Sequence, residues 1–393
     1  MVGGSGVPGT ALKFRGTTLE TPFNPPPAVS SREQALRTRI DDAARNLRQD
    51  PDRLDLALEL AEAYRAAGDP RETLRTVDRF YRKGAHTPEL IVLKADAERL
   101  TGNPSGGLGL LEEHAGLVAS LARAWTTRGR CRLDLGEATA AIEAMETAVS
   151  LDPESGEAHY ALGIALSRSE RAPEAEGAYK AALRFNPNLV KAQINLGILY
   201  DRLGRKTDAI QALRTATATH PDRPEGHANL GALYAELGRR DEALTSLRRA
   251  LDLDPRSSEA HLNLALLHLN ERRLEEAAEA IRRARHLAPD DARILYYSAI
   301  LALRRGLHEE AIRTFDEFLA TAPGDPSALY HLGLAHLRGG NPDRAIEVFT
   351  KLTELHPAHQ KAHFYLGVAM DQNGLGEQAR KAYRVASRLE RGL

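Results

Sequence analysis

Fourteen histidines and a single cysteine are the residues of this chain best suited to metal or nucleophilic chemistry. His159, His227, His261 and His363 are separated by 68, 34 and 102 residues, all multiples of 34. They therefore share one position of whatever unit repeats. A zinc ion would need several ring nitrogens at about 2 Å, whereas equivalent residues on stacked helices stand about 8–10 Å apart. Helix packing is the expected role of these four. His359 and His363 lie four apart but have no carboxylate partner, so no metal site is read. Cys131 sits between Arg130 and Arg132, cations that could lower a thiol pKa. A nucleophile also needs a positioned base, and none is legible, so a packing role is expected here too. The glycines of 105–109 join no strand to a helix and make no phosphate loop. The chemistry-bearing residues thus imply a protein that is not an enzyme and uses no cofactor.

Charge and composition narrow the classes further. Lys and Arg number 53 against 54 Asp and Glu, a net of −1, which argues against a broadly basic nucleic-acid or membrane surface. The pairs Arg248-Arg249, Arg282-Arg283 and Arg304-Arg305 alternate with Glu275-Glu276 and Glu309-Glu310. They are read as a solvated, salt-bridged convex face. One cysteine cannot close an intrachain disulfide. No apolar run approaches the 18 or so residues of a spanning helix, and the first residues lack a signal-peptide pattern. A cytoplasmic protein without membrane insertion is expected.

The elements that must position these residues come from internal repetition. Pro153, Pro187, Pro221, Pro255, Pro289, Pro323 and Pro357 are each 34 residues apart, and Pro51 keeps the frame. Ala141, Ala175, Ala209, Ala243, Ala277, Ala311, Ala345 and Ala379 repeat with the same period. Leu-Gly recurs at 162–163, 196–197, 230–231, 332–333 and 366–367.

Each unit reads as two helices. His227, Leu230, Gly231 and Tyr234 follow the i, i+3, i+4, i+7 spacing of one helical face. Gly238 supplies a left-handed cap. A second run, Ala243, Leu244, Leu247, Ala250 and Leu251, stops at Asp254-Pro255, because proline disfavours helix in its predecessor. Small Gly231 and Ala243 are expected to let the two backbones approach. A unit of this size cannot bury its own apolar face, so neighbours must stack.

The spacing of Leu162, Gly163, Ala175, Tyr179, Ala182 and Pro187 resembles the signature of the tetratricopeptide repeat (TPR) family, over 54–393. The resemblance implies an all-α solenoid, a right-handed superhelix whose first helices line a concave groove. Residues 1–30 form a Gly/Pro-rich tail expected to be disordered, and 31–53 a capping helix. Ten units follow: 54–87, 88–121, 122–155, 156–189, 190–223, 224–257, 258–291, 292–325, 326–359 and 360–393. The second is degenerate: it lacks the proline, its second helix is diluted by the 101–107 segment, and it could act as a joint. The tenth carries Arg380 and Ser387 where the eighth has Ile312 and Leu319, as a terminal cap would. The array is therefore expected to end there, with no stretch left for a catalytic domain.

Candidate binding residues fall on the groove. Asn195, Asn229 and Asn263 recur at the sixth position of three successive first helices. An amide offers both donor and acceptor, so it matches a peptide backbone; a common helix-surface residue is the other open reading. The ladder is similar to one in the TPR superhelix of O-linked N-acetylglucosamine transferase, which implies main-chain clamping, but no counterpart of that enzyme's catalytic half is read. The ladder then changes to Tyr297, His331 and Tyr365, flanked by Tyr296, Tyr330 and Phe364. Leu262, Leu266, Leu269, Ile300, Leu303, Leu334, Leu337 and Val368 make these helices apolar nearly all round, about half of that surface being expected to stay available. The two-carboxylate clamp by which some members of the resembled family hold an acidic C-terminus is matched only in part by Lys191, Asn195, Asn229 and Asn263, with Glu259 where a lysine is expected.

The expected function is a scaffold that binds a peptide or helix of a partner protein along the groove. The alternative is an accessory subunit of an enzyme or of a secretion or assembly machine, docking through its convex face or ends.

Overall fold

A computed structural model of the chain describes residues 31–391; the tail 1–30 lies outside the described residues. The described residues form twenty-two α-helices and no strand. Helix α1 (Ser31–Gln49) precedes the pairs α2 (Leu54–Ala67) with α3 (Pro70–Arg82), and α4 (Pro88–Leu100) with α5 (Pro104–Glu113). A single turn, α6 (Ala115–Val118), leads to α7 (Ala122–Asp134) and α8 (Ala138–Leu151). Then come α9 (Gly156–Arg168) with α10 (Ala172–Phe185), and α11 (Val190–Arg202) with α12 (Lys206–Thr219). Next are α13 (Pro224–Glu236) with α14 (Arg240–Leu253), and α15 (Ser258–Asn270) with α16 (Leu274–Leu287). The last pairs are α17 (Ala292–Arg304) with α18 (His308–Thr321), α19 (Pro326–Arg338) with α20 (Pro342–Leu355), and α21 (Gln360–Gln372) with α22 (Gly376–Glu390).

Local chemistry sets these boundaries. Ser155, Ser257 and Asp325 accept hydrogen bonds from the backbone N–H groups of Ala158, Ala260 and Ala328, satisfying donors that a helix start leaves free. The turn inside each hairpin is left-handed. Gly238 has φ 71 and its N–H donates to the Ala235 carbonyl. At the same position of two other units stand Glu170 (φ 60) and Arg272 (φ 58), which carry the steric cost that glycine avoids. The second helices α8, α10, α12, α14, α16, α18 and α20 each end with one residue left before proline; Asp254, for example, is extended at φ −137, ψ 91.

Packing follows from position. A Cβ on Gly231 would lie 2.7 Å from Leu247 Cγ, and one on Gly333 would lie 2.6 Å from the Phe349 ring. The glycine of the first helix thus accepts a large side chain of the second. Ala243, expected to share that close approach, is itself fully buried one turn earlier. Phe315, Phe349, Leu213 and Leu247 are fully buried, and each such side chain contributes about 1.5–3 kcal/mol of burial. Within a pair the helices pack on each other, and the second helix packs on the next pair. No described unit is closed off from its neighbours, as in a solenoid.

The degenerate second unit is densely packed. Leu90 to Ala97 are buried without a break, including Lys94 and Asp96. Lys94 Nζ lies 2.7 Å from Asp78 and 3.2 Å from Glu98, while Arg99 bonds Asp96 and, at 2.8 Å, Asp134 of the following unit. Burial works against the Lys94 charge, but the hydrogen bonds to Asp78 and Glu98 outweigh it and hold the pKa above the ordinary lysine value. Paired ions fill the space that apolar packing leaves, although α5 is short and breaks at His114. At the other end, Arg380 is exposed and Ser387 is half-buried.

Candidate functional site

Neighbouring first helices touch through residues 35 apart in sequence. Asn195 Nδ2 lies 3.5 Å from Tyr160 Oη, and Arg202 Nη1 lies 3.5 Å from Ser167 Oγ. Tyr296 Oη lies 3.3 Å from His331 Nδ1, and Arg304 Nη1 donates to the Leu269 carbonyl at 2.7 Å. These contacts join α9 to α11, α15 to α17 and α17 to α19, and α11 with α13, α13 with α15 and α19 with α21 are likewise packed side by side, so the first helices from α9 to α21 form one continuous strip. Arg304 belongs to it and not to the convex surface to which the pair Arg304-Arg305 is assigned by sequence; the helix turn separates the two arginines, and Arg305 reaches Glu275 instead.

Asn195, Asn229 and Asn263 are all half-buried on this strip. Asn229 Nδ2 donates to the Glu225 carbonyl of its own helix at 2.8 Å, which leaves its amide oxygen as an acceptor. Asn195 lines a depression of about 280 Å³ with Ile164, Ser167 and Ile198. Asn229 lines the next, about 140 Å³, with Ile198, Ala232 and Glu236. Exposed Ile198 separates the two.

Farther along, the six ring-bearing candidates meet in one chain of contacts. Tyr297 to Tyr296 is 5.2 Å between centroids, Tyr296 to His331 6.1 Å, and His331 to Tyr330 5.2 Å. Tyr330 to Tyr365 is 5.8 Å and Tyr365 to Phe364 5.3 Å. Edge-on rings at these separations attract. Tyr296 and Tyr330 are wedged against Phe318 and Phe349, and burial pushes the Tyr330 phenol up to about 12. Phe364 is the most open ring, 47% exposed. Of the flanking apolar positions, Leu262, Leu269, Ile300, Leu303, Leu334 and Leu337 are buried. Packing against second helices as well as neighbouring first helices consumes them, leaving Leu266 and Val368 half-buried. The strip is therefore more polar and aromatic than its residue types suggest. Its polar lining, Tyr160, Ser167 and Arg202 included, escapes sequence reading; the only signal is polar residues paired at an offset of 35.

The histidines have structural partners. His159, His227, His261 and His363 each place Nε2 at 2.9–3.1 Å from the carbonyl of the proline six residues earlier. No group of three or more His, Cys, Asp or Glu that could hold a metal occurs among the described residues. Cys131 is buried, and desolvation raises its thiol to about 12; the cation that opposes this is Arg99 of the preceding unit, not the sequence neighbours Arg130 and Arg132. No described helix is long and apolar enough to cross a membrane.

These features define an α-solenoid of helical hairpins with one continuous inner strip. Residues 126–190, 194–258, 229–292, 262–326 and 330–389 match the tetratricopeptide repeat pattern, and the chain belongs to that family. Its repeats mark a protein–protein interaction scaffold, and the family is generally non-catalytic. Among solved structures, a thermophilic TPR protein of Thermus thermophilus is 27% identical, with 46% of this chain and 99% of that chain covered and a TM-score of 0.42. A TPR protein of Parabacteroides merdae is 21% identical over 60% and 93%, with a TM-score of 0.46. A chain of the APC/C hetero-tetramer Cut9–Hcn1 is 14% identical over 92% and 94%, also at 0.46. No curated protein matches the chain.

Proposed function

We propose that this protein is a non-enzymatic scaffold that holds a peptide segment or helix of a partner protein along the inner strip of first helices. The observation that carries this reading is the continuity of the strip. Half-buried amides at Asn195, Asn229 and Asn263 lead directly into the ring chain from Tyr297 to Phe364. First helices about 8–10 Å apart meet an extended peptide, which advances roughly 3.3 Å per residue, about once every three residues. The amides would grip main chain there, and the rings would receive apolar side chains.

The test is the triple substitution Asn195→Ala, Asn229→Ala, Asn263→Ala, paired with Phe364→Ala on the same background. These residues are half-buried or exposed, so the helical circular-dichroism signal should be preserved while partners identified by crosslinking to the intact protein are lost. An unchanged set of partners would reject the strip as the binding face.

A further inference from the structure

The inner strip is of mixed charge on α9 and α11, and its charge changes sign between α15 and α17. Helices α13 and α15 carry Glu225, Glu236 and Glu259 and no Lys or Arg. Helices α17 and α19 carry Arg293, Arg304 and Arg338 and no acid, and α21 carries Lys361 with Asp371. The charges on the two sides are not equally satisfied. Arg293, at the boundary, is held by Asp291 at 3.0 Å and approached by Glu259. Arg304 spends one N–H on a carbonyl, which leaves its charge uncompensated. Arg338 and Lys361 are exposed and form no ion pair among the described residues. Asp371 accepts a hydrogen bond from Tyr383 Oη. Asp325 is occupied capping Ala328.

We propose that the partner segment lying over α17, α19 and α21 is an acidic stretch with interspersed apolar side chains. This rests on the strip being the binding face, and adds which chemistry its C-terminal half selects. Guanidinium groups pair with carboxylates through charge-assisted hydrogen bonds, and the ring chain beside them takes apolar or aromatic side chains. His331 is within electrostatic reach of Arg304 and Arg338; burial, seconded by both, holds it below the ordinary histidine value. It therefore adds no positive charge near neutral pH. Three uncompensated cations suit a short acidic segment better than the long phosphate track of a nucleic acid.

The experiment uses the full chain and two fluorescent peptides of about twelve residues, a length that spans roughly 40 Å when extended. One alternates Asp or Glu with Leu or Phe; the other replaces every acid with Lys. The acidic peptide is expected to bind roughly tenfold more tightly or better, with an affinity that falls as salt rises. The exposed double change Arg338→Glu, Lys361→Glu should remove that advantage while leaving the circular-dichroism signal intact. Equal binding of the two peptides, or no binding of the acidic one, overturns the inference. So does displacement of the acidic peptide by an oligothymidine at equal concentration, which would assign the cations to phosphate. If the asparagine substitutions weaken both peptides while charge reversal changes neither, the binding face stands and only this inference falls. If neither set of changes matters, both fall.

Discussion

The imidazole Nε2 of His261 lies 3.1 Å from the carbonyl oxygen of Pro255, six residues earlier. The same relationship joins His159 to Pro153, His227 to Pro221 and His363 to Pro357. In the third unit Trp125 takes the histidine's place, its Nε1 donating to the Ala119 carbonyl at 2.8 Å. In these five units the ring of the first helix thus ties down the turn that delivers the chain from the unit before. Because the acceptor is a carbonyl, the ring proton resides on Nε2.

Removing the tie should loosen that turn. Replacing His227 or His261 with Ala is expected to cost about 1 kcal/mol, the worth of an ordinary hydrogen bond. His227→Trp should retain more of it, since indole offers the same donor. Urea midpoints of the three variants provide the check; equal stability of wild type and both alanine variants would exclude the role.

Stability should also depend on pH through histidines that are buried or half-buried. Burial holds His261, His268 and His336 below the ordinary value of 6.5. The unfolded chain then accepts protons that the folded chain refuses, so their contribution is complete above about pH 6.5 and is lost as pH falls through the folded values. Melting temperature should decline between about pH 7.5 and pH 5. The double change His268→Gln, His336→Gln should flatten that slope, and an unaltered slope would assign the acid sensitivity elsewhere.

The two left-handed turns without glycine should be stabilised by supplying it. Glu170→Gly and Arg272→Gly relieve φ values of 60 and 58. Each is expected to gain about 0.5–1 kcal/mol, the steric relief exceeding the added entropy of the unfolded chain. Thermal melts of the single and double variants would show it, and a lowered melting temperature in both singles would contradict it.

Cys131 should report opening of the third unit. Its sulfur is buried and its thiol is raised to about 12, so both access and thiolate are withheld. A thiol reagent at pH 8 should leave the native chain unlabelled and react fully in urea. Rapid labelling of native protein would show that the helices around Cys131 do not close over it.

The period of 34, the helix pairs, the left-handed turn at Gly238 and the stops before proline are all legible in the sequence. Each depends on interactions within a few residues or between adjacent copies of one pattern, so repetition writes them down many times. What lies across neighbouring first helices is different. Whether Leu262, Ile300 and Leu334 face a partner or each other, whether Arg304 lies on the inner strip, and whether the rings from Tyr297 to Phe364 touch depends on how closely helices 34 residues apart approach. Helix packing distance and angle set that approach, not the spacing of residue types along one helix. The same holds for the ion pairs that make Leu90 to Ala97 a buried segment, because Lys94 and Arg99 find Asp78 and Asp134 only once three units are stacked.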